Sequence, residues 1–436
     1  MNYTYKNIWY ISYPVMMSVL MEQLINITDA IFLGHVSETA LGASAIAGIY
    51  YLAVYMLGFG FCIGLQVLIA RRNGEQNYTS TGKTFFQGLW FLAGLSILLF
   101  LLSRYLSPTI LQQAIKSEEI YNAVTEYINW RCFGLLFAFP ALAFRAFFIG
   151  TTNTRTLTAN SLLMIVTNAG LNYLLIFGKA GFPPLGITGA ALASTLSELI
   201  SLIVFILYTF LKVDRRKYGF TPVFCRNTFR EVMHLSVWSM MHLFISVAPW
   251  LLFFISIEHL GKSELAVANI TRSISSLFFV LVSALASTNA SLVSNLIGAN
   301  EKKRIKPLCG KVIRLGYGIG IPLILIAIFC QNQVIGIYTN DSGLIQKAQA
   351  PFLVMLSNYL ICLPALVYLN AVIGLGATRQ AFFFQVVTIS FYLLYLWLLN
   401  TLPHTPLAVY CTVEHLFVSV QLILSLLYLK RHAKDL

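Results

Sequence analysis

Charged residues are scarce in this chain: only 10% of its 436 residues are Asp, Glu, Lys or Arg, whereas 58% are hydrophobic. An ordinary soluble domain has about 25% charged residues, so the composition excludes a soluble enzyme and a disordered chain. The net charge is +13, but the cations lie in short loops between apolar runs, which excludes a nucleic-acid-binding protein. We therefore expect the chain to lie in a lipid bilayer.

Motifs for covalent or metal chemistry are also missing from the sequence. The seven cysteines are an odd number, form no C-x-x-C pair and mostly lie within apolar runs, so we expect them to be small buried residues. The sequence has no P-loop, no zinc motif and no nucleophile–base pairing. These absences argue against an enzyme and against ATP use, and no cofactor is expected.

Twelve apolar segments are long enough for a transmembrane helix, which needs about 20 residues. The first, 8–33, is too long and too polar in its second half for a signal peptide, and we expect it to be retained. The span 265–297 is too long for one crossing and is expected to extend past the membrane. The twelve predicted spans are 8–33, 43–70, 84–106, 127–149, 157–177, 189–211, 232–257, 265–297, 312–338, 348–373, 381–400 and 405–429.

An even number of spans places both termini on one side of the membrane, and the cations indicate which side. Outside the spans, the loops on the opposite side carry Lys116, Lys179, Lys262 and Lys347, and the other lysines and arginines lie on the side of the termini. Cytoplasmic loops are enriched in Lys and Arg. The sequence therefore predicts cytoplasmic termini and a multi-pass protein of the bacterial inner (plasma) membrane.

The chain contains an internal repeat. The segment 137–155 resembles 361–379, and a proline and an arginine recur at matching positions of the two segments. One constant offset relates the repeated residues, which are Pro140 and Pro364, Arg155 and Arg379, His35 and His259, and Gly74 and Gly298. Six spans separate the copies, so they share their orientation and form a parallel repeat, as in many transporters.

These observations together predict an all-α polytopic membrane protein. Its twelve transmembrane helices form two six-helix lobes related by the parallel repeat, at residues 1–215 and 216–436. The basic loop 212–231 is the natural linker between the lobes.

Four carboxylates lie deep within the predicted spans: Glu22, Asp29, Glu198 and Glu414. An ionisable residue near the bilayer centre costs roughly 2.5–3.5 kcal/mol, so each should have a partner or a function. Asp29 is the strongest candidate. It shares a helix face with Glu22 and Asn26, because the three residues are spaced i, i+4 and i+7.

Neutral side chains on two other spans complete a candidate cation site. Asn168 and Asn172 are spaced i, i+4 on the fifth span, and Ser194 lies on the sixth, with Thr195 adjacent. Carboxylate, amide and hydroxyl oxygens are the ligands that a hard cation prefers. A buried carboxylate also tends to hold a proton, because desolvation disfavours its charged form. The pattern predicts a coupling site for Na⁺ or H⁺ near Asp29.

The repeat places this constellation in the first lobe alone, since the positions matching Asp29 and Asn172 are Phe253 and Leu396. The alternative interpretation is that Asp29 only hydrogen-bonds neighbouring helices. Glu22 and Glu198 either assist the site, with Asn26 as a further auxiliary residue, or bond to nearby backbone and serine groups. Three arginines lie well inside spans, where they either snorkel or pair with helix carbonyls, or line an aqueous cavity: Arg131, Arg145 and Arg272.

The chain resembles the multidrug and toxic compound extrusion (MATE) family over nearly its whole length. The resemblance rests on four segments: QLINITDAIFLGH (23–35), LIARRNGEQN (68–77), NAGLNYLLIFGKAGFPPLGITGAALAST (168–195) and SLVSNLIGAN (291–300). It implies secondary antiport, in which a small organic substrate, expected to be cationic and lipophilic, leaves the cell while Na⁺ or H⁺ enters. We also expect a monomer.

The resemblance further implies that the cation site consists of Asp29, Asn168, Asn172 and a hydroxyl at Ser194 or Thr195. The chain departs from one branch of the family, which carries a Glu in the seventh helix and an Asp in the tenth. Those places hold Ser246 or Val247, and Pro364. The hypothesis of ion coupling therefore depends mainly on the first-lobe site.

Three alternatives to an antiporter follow from the same residues. A lipid or lipid-linked oligosaccharide flippase of the same broad superfamily would use the in-span arginines to hold a pyrophosphate. A membrane-bound enzyme would need a second catalytic group facing Asp29, and the sequence offers none. A channel would conduct without stoichiometric exchange.

Overall fold

The computed structural model describes residues 3–115, 117–258, 260–339, 341–402 and 405–432. Two residues used in the sequence predictions, Lys116 and His259, lie outside the described residues. All regular elements of the described residues are helices. In the first half of the chain they are α1 (Tyr5–Gly34), α2 (Glu38–Gly74), α3 (Tyr78–Tyr105), α4 (Ser107–Ala114), α5 (Glu118–Arg131), α6 (Phe133–Gly150), α7 (Arg155–Phe177) and α8 (Gly186–Lys212).

The second half of the chain repeats this order of helices. It comprises α9 (Arg226–Ile245), α10 (Val247–Glu258), α11 (Lys262–Gly298), a 3₁₀ turn (Lys302–Arg304), α12 (Ile305–Phe329), α13 (Gln331–Gly336), α14 (Ser342–Ser357), α15 (Tyr359–Gly374), α16 (Thr378–Thr401) and α17 (Leu407–Arg431). Within the described residues, twelve helices are long and apolar enough to cross a membrane, which confirms the predicted number of spans.

Four predicted spans are interrupted helices. The fourth span breaks at Cys132 between α5 and α6, and the seventh breaks at Ser246 between α9 and α10. The ninth breaks at Cys330 between α12 and α13, and the tenth breaks at Asn358 between α14 and α15. In α10, Pro249 lies in the first turn, where its missing N–H costs no intrahelical hydrogen bond. The predicted over-long span is a single helix, α11, of 37 residues.

The bounds of the helices support the internal repeat. Helix α2 covers 38–74 and α11 covers 262–298, so both ends recur at the offset that relates the repeated residues of the sequence. Helix α3 covers 78–105, and the 3₁₀ turn with α12 covers 302–329 at the same offset. A shared offset at both ends of long helices indicates that the two halves of the chain are copies of one structural unit.

The chain packs into two compact units, one of Met17–Met240 and the other of Met1–Met16 with Met241–Leu436. The packing therefore divides the chain at residues other than 215 and 216, where the linker predicted the lobe boundary. The early part of α9 belongs to the first of these units because glycines of α2 let it approach closely. A Cβ added to Gly64 would lie 2.5 Å from the Cα of Ser236, so a larger residue at Gly64 would separate the helices.

Close packing of α7 against α8 positions the polar side chains of these two helices. A Cβ added to Gly189 would lie 2.7 Å from the carbonyl carbon of Leu175, so the backbones approach closely only because residue 189 is glycine. Helix α7 ends at Phe177 and is capped by Gly178, whose φ of 65° is the left-handed conformation that glycine adopts without steric cost. The turn then brings α8 back alongside α7.

Candidate functional site

Asp29 lies in a closed ring of hydrogen bonds that joins α1, α7 and α8. Its Oδ1 accepts a hydrogen bond from Asn172 Nδ2 at 2.5 Å, and its Oδ2 accepts one from Ser194 Oγ at 2.7 Å. Asn168 completes the ring, because its Nδ2 donates to Ser194 Oγ at 3.1 Å and its Oδ1 accepts from Asn172 Nδ2 at 3.1 Å. The structure thus brings together the four residues that the sequence combined into a cation site.

One oxygen of this ring has no hydrogen-bond donor among the described residues. The side chains of Asn168 and Asn172 are fully buried, Ser194 is nearly so, and Asp29 is half-buried. Asn172 Oδ1 is buried and accepts no hydrogen bond from the part of the chain that the structure describes. A buried acceptor without a donor costs about 1–3 kcal/mol. An unsatisfied amide oxygen beside a carboxylate can act as a ligand for a cation. It can also accept a hydrogen bond from a proton held by the carboxylate.

The charge of the site suits a monovalent ion. Asp29 supplies one negative charge, and the two amides and Ser194 supply neutral oxygens. In the described part of the chain, no group of three or more His, Cys, Asp or Glu residues could hold a metal ion. Divalent and transition metals generally need several such ligands, so the ring matches Na⁺ or H⁺ better than a divalent ion.

Two further predicted residues lie outside the ring. The Thr195 hydroxyl donates to the backbone carbonyl of Trp130 at 3.2 Å. Of the two hydroxyls that the sequence left open, the structure therefore places Ser194 against Asp29. Asn26 is exposed on α1, although its spacing puts it on the same helix face as Asp29.

Glu22 pairs with a buried arginine instead of joining the ring. Arg145 Nη1 donates to Glu22 Oε1 at 2.8 Å and to Ser18 Oγ at 2.9 Å. Ser18 Oγ in turn lies 3.4 Å from Glu22 Oε1, to which it donates. The Arg145 side chain is 8% exposed, so the ion pair neutralises a cation that would otherwise be buried alone.

Glu198 is held by a second buried arginine. Arg131 donates to both carboxylate oxygens of Glu198, at 2.7 and 2.6 Å. The Tyr51 hydroxyl donates to the same carboxylate, and the Arg131 guanidinium lies 3.6 Å from the centroid of the Tyr51 ring. The donors to the Glu198 carboxylate are therefore Arg131 and Tyr51, and neither belongs to the Asp29 ring.

The third in-span arginine also faces a carboxylate, since Arg272 Nη1 lies 3.5 Å from Glu414 Oε1. Each of these three arginines thus contacts a carboxylate, a partner that the sequence interpretations had not named. The signal for these pairs was present in the sequence, because three in-span arginines require three in-span acids. Asp29 is the fourth deep carboxylate, and the described groups that donate to it, Asn172 and Ser194, are neutral.

Comparison with known proteins identifies the family. The MatE family model matches residues 14–174 and, a second time, residues 239–398. The chain belongs to the MatE family. The separation of the two matched segments agrees with the repeat seen in the helices.

Relatives and solved structures of transporters resemble this MatE chain over most of its length. It is 25% identical to the probable multidrug resistance protein NorM of Rhizobium meliloti, over 76% of the chain and 71% of that protein. It is 23% identical to the probable NorM of Listeria monocytogenes, over 76% of the chain and 73% of that protein.

The fold is similar to that of solved transporter structures. A MOP superfamily transporter from Pyrococcus furiosus superposes with a TM-score of 0.86 at 16% identity, covering 99% of this chain and 95% of that one. The eukaryotic MATE transporter AtDTX14 superposes with a TM-score of 0.82 at 18% identity, covering 98% and 95%. The MatE chain is therefore a multi-pass membrane transporter and not an enzyme.

Proposed function

We propose that this MatE chain exports small organic compounds across the bacterial inner membrane in exchange for one monovalent cation, Na⁺ or H⁺, that binds at Asp29. The observation that carries the proposal is the contrast among the four deep carboxylates. Glu22, Glu198 and Glu414 each face an arginine, whereas Asp29 faces neutral groups and lies in the same ring as an unsatisfied buried amide oxygen. Arg131 acts on Asp29 only at a distance and is itself bonded to Glu198, so a mobile cation is needed to bring a positive charge into direct contact with the Asp29 carboxylate.

The ring offers a mechanism for either ion. A proton on Asp29 converts one of its oxygens from an acceptor to a donor, and rotation of the Asn172 amide about χ2 presents Oδ1 as the matching acceptor. A sodium ion instead takes carboxylate, amide and hydroxyl oxygens as ligands. In both cases the bonds between α1, α7 and α8 change, so the ion stabilises one arrangement of these helices over another. Exchange requires that ion and substrate favour different arrangements.

The proposed substrate class is supported by the relatives and not by the site. The relatives named above are probable multidrug resistance proteins, and we propose small, lipophilic organic cations as substrates. The charge distribution of the loops favours cytoplasmic termini, and we propose that the transporter acts as a monomer.

Transport measured with separately imposed gradients tests this proposal. Purified protein is reconstituted in proteoliposomes loaded with tetraphenylphosphonium, and efflux is followed with an inward Na⁺ gradient, with an inward proton gradient, and with neither. We expect one of the two gradients to accelerate efflux at least tenfold over the rate without a gradient. Equal rates under all three conditions would contradict ion-coupled export and would favour a channel.

The two neighbouring hydroxyls of α8 provide a matched pair of variants. Ser194→Ala removes a hydrogen bond to the Asp29 carboxylate, which is worth about 1.5–3 kcal/mol for a charged acceptor. That hydrogen bond stabilises the ionised, proton-free carboxylate, so if H⁺ is the coupling cation we expect its half-saturating concentration to fall about 10- to 100-fold. If Na⁺ is the coupling cation, its half-saturating concentration should instead rise, because Na⁺ loses the hydroxyl oxygen as a ligand. Thr195→Val keeps the side-chain volume and removes a hydroxyl that bonds only to a backbone carbonyl in the described structure, so the same concentration should stay within about twofold. A larger effect of the Thr195 variant would refute the assignment of Ser194.

A further inference from the structure

The repeat assigns a counterpart of the Asp29 ring within the second half of the chain. Phe253 matches Asp29, and Tyr392 matches Asn168, each at the offset of the repeat. The chain between α16 and α17, residues 402–406, is three residues shorter than the chain between α7 and α8, residues 178–185. With this difference His415 matches Ser194, and Glu414 is the residue that precedes it.

An arginine occupies this counterpart site. The Cζ atom of Arg272, on α11, lies 5.3 Å from the ring centroid of Trp250 and 5.4 Å from those of Phe253 and Phe254, all on α10. Its Nη1 lies 3.5 Å from Glu414 Oε1. Aromatic faces attract cations through the ring quadrupole, and the attraction strengthens when the cation is desolvated. The guanidinium thus lies among a carboxylate and three aromatic rings, which are groups that would also bind a cation from solution.

The contact with Glu414 differs from the other buried ion pairs of this chain. Arg131 reaches Glu198 with two hydrogen bonds of 2.6 and 2.7 Å. Arg272 Nη1 is buried and makes no hydrogen bond of good geometry to any described residue, while Glu414 accepts a bond of 3.4 Å from the buried Tyr392 hydroxyl. A pair held this loosely contributes little as a structural bridge. Its main effect is to place a positive charge beside Glu414.

We propose that Glu414, with Tyr392 and the rings of α10, is a second cation-binding site, and that Arg272 occupies it as a tethered cation. The inference rests on the proposed function, because it takes the Asp29 ring as the site for a mobile ion. Arg272 excludes a mobile ion from Glu414, so that one chain binds one coupling cation. Removal of the guanidinium leaves a carboxylate without a counter-charge in an apolar setting, which then recruits Na⁺ or H⁺ from solution.

Counting bound ions in purified variants tests the proposal. The number of ²²Na⁺ ions bound per chain, and the number of protons taken up in a pH titration, are measured for the wild type, Arg272→Gln, Arg272→Lys and the double variant Arg272→Gln with Glu414→Gln. We expect Arg272→Gln to bind one cation more than the wild type, and the double variant to return to the wild-type number. Arg272→Lys keeps a tethered charge and should match the wild type. An unchanged number in Arg272→Gln would overturn the proposal.

A chemical readout separates this proposal from the function of Asp29. Dicyclohexylcarbodiimide modifies protonated carboxyl groups in apolar surroundings, so Glu414 paired with Arg272 should be unreactive. We expect labelling of Glu414, located by peptide mass spectrometry, to rise at least tenfold in Arg272→Gln, with or without Asp29→Asn. If Asp29→Asn retained coupled efflux, the proposed function would fail, and this labelling would still decide whether Arg272 occupies the site.

If Arg272→Gln does not fold, Glu414→Gln provides a second test of whether Arg272 occupies the site. This variant removes the carboxylate while Arg272 stays in place. We expect the number of bound cations per chain to equal that of the wild type, because Glu414 holds the chain's own guanidinium. A loss of one bound cation in Glu414→Gln would mean that a mobile ion reaches Glu414, and the proposal would be wrong.

Discussion

Asp29→Asn is expected to abolish cation-driven export while the protein still inserts and folds. The amide has the shape of the carboxylate and keeps hydrogen-bonding capacity toward Asn172 and Ser194, which now contact the carboxylate at 2.5 and 2.7 Å. It carries no charge. Two unit charges 4 Å apart interact by about 4 kcal/mol at an effective dielectric constant of 20, so the affinity for the coupling cation should fall roughly a thousandfold.

The measurement is efflux of tetraphenylphosphonium from proteoliposomes under the gradient that drives the wild type. Size-exclusion chromatography and the thermal midpoint in detergent verify folding of the variant. Asn26→Ala is the matched control, because residue 26 lies one turn away on α1 and is exposed, and its efflux should equal that of the wild type. If Asp29→Asn kept more than half of the gradient-driven rate, Asp29 would not be the coupling residue.

Breaking the pair between Arg131 and Glu198 is expected to cause the largest loss of stability. Both side chains are about one-tenth exposed, at 11% and 10%, and they share two hydrogen bonds. Removing one partner of a buried pair leaves the other charge uncompensated, which costs about 3–5 kcal/mol. Arg131→Gln and Glu198→Gln should therefore each lower the thermal midpoint in detergent by several degrees and reduce the yield of monodisperse protein.

The double variant and a more exposed pair provide the controls. Arg131→Met combined with Glu198→Met removes both charges and should recover most of the loss, because an apolar pair of similar volume often replaces a buried ion pair at little cost. Arg72 and Glu231 are 2.8 Å apart, with side-chain exposures of 26% and 51%. Glu231→Gln should change stability by about 1 kcal/mol or less. Equal destabilisation by Glu231→Gln and Glu198→Gln would show that burial does not determine how much stability is lost when an ion pair is broken.

The location of the ring was predictable, because each of its members carries a local signal in the sequence. Asp29 is a carboxylate within an apolar span, and Asn168 and Asn172 share a face through their i, i+4 spacing. The choice between Ser194 and Thr195 was not predictable. Adjacent residues of a helix point about 100° apart, and which of them faces α1 depends on the rotation of α8 about its axis, which is set by packing against α7 at Gly189.

The sequence could indicate that the other deep acids pair with arginines, but not which arginine pairs with which acid. Each in-span arginine needs a counter-charge, yet Arg131 and Glu198 are 67 residues apart and Arg145 and Glu22 are 123 apart. No periodicity within one helix connects residues at such separations. The spacing of Glu22, Asn26 and Asp29 on α1 suggested one shared site, whereas Glu22 contacts Arg145 and Asn26 is exposed.

By itself, the sequence determined that the chain spans a membrane with twelve apolar segments in two parallel copies. Hydropathy and a constant offset between repeated residues are properties of the linear chain, and the bilayer requires each apolar span to satisfy its own backbone as a helix. Only the tertiary structure decided which charges cancel and which one remains. That outcome depends on distances between helices, and it leaves Asp29 among neutral donors while three arginines face Glu22, Glu198 and Glu414.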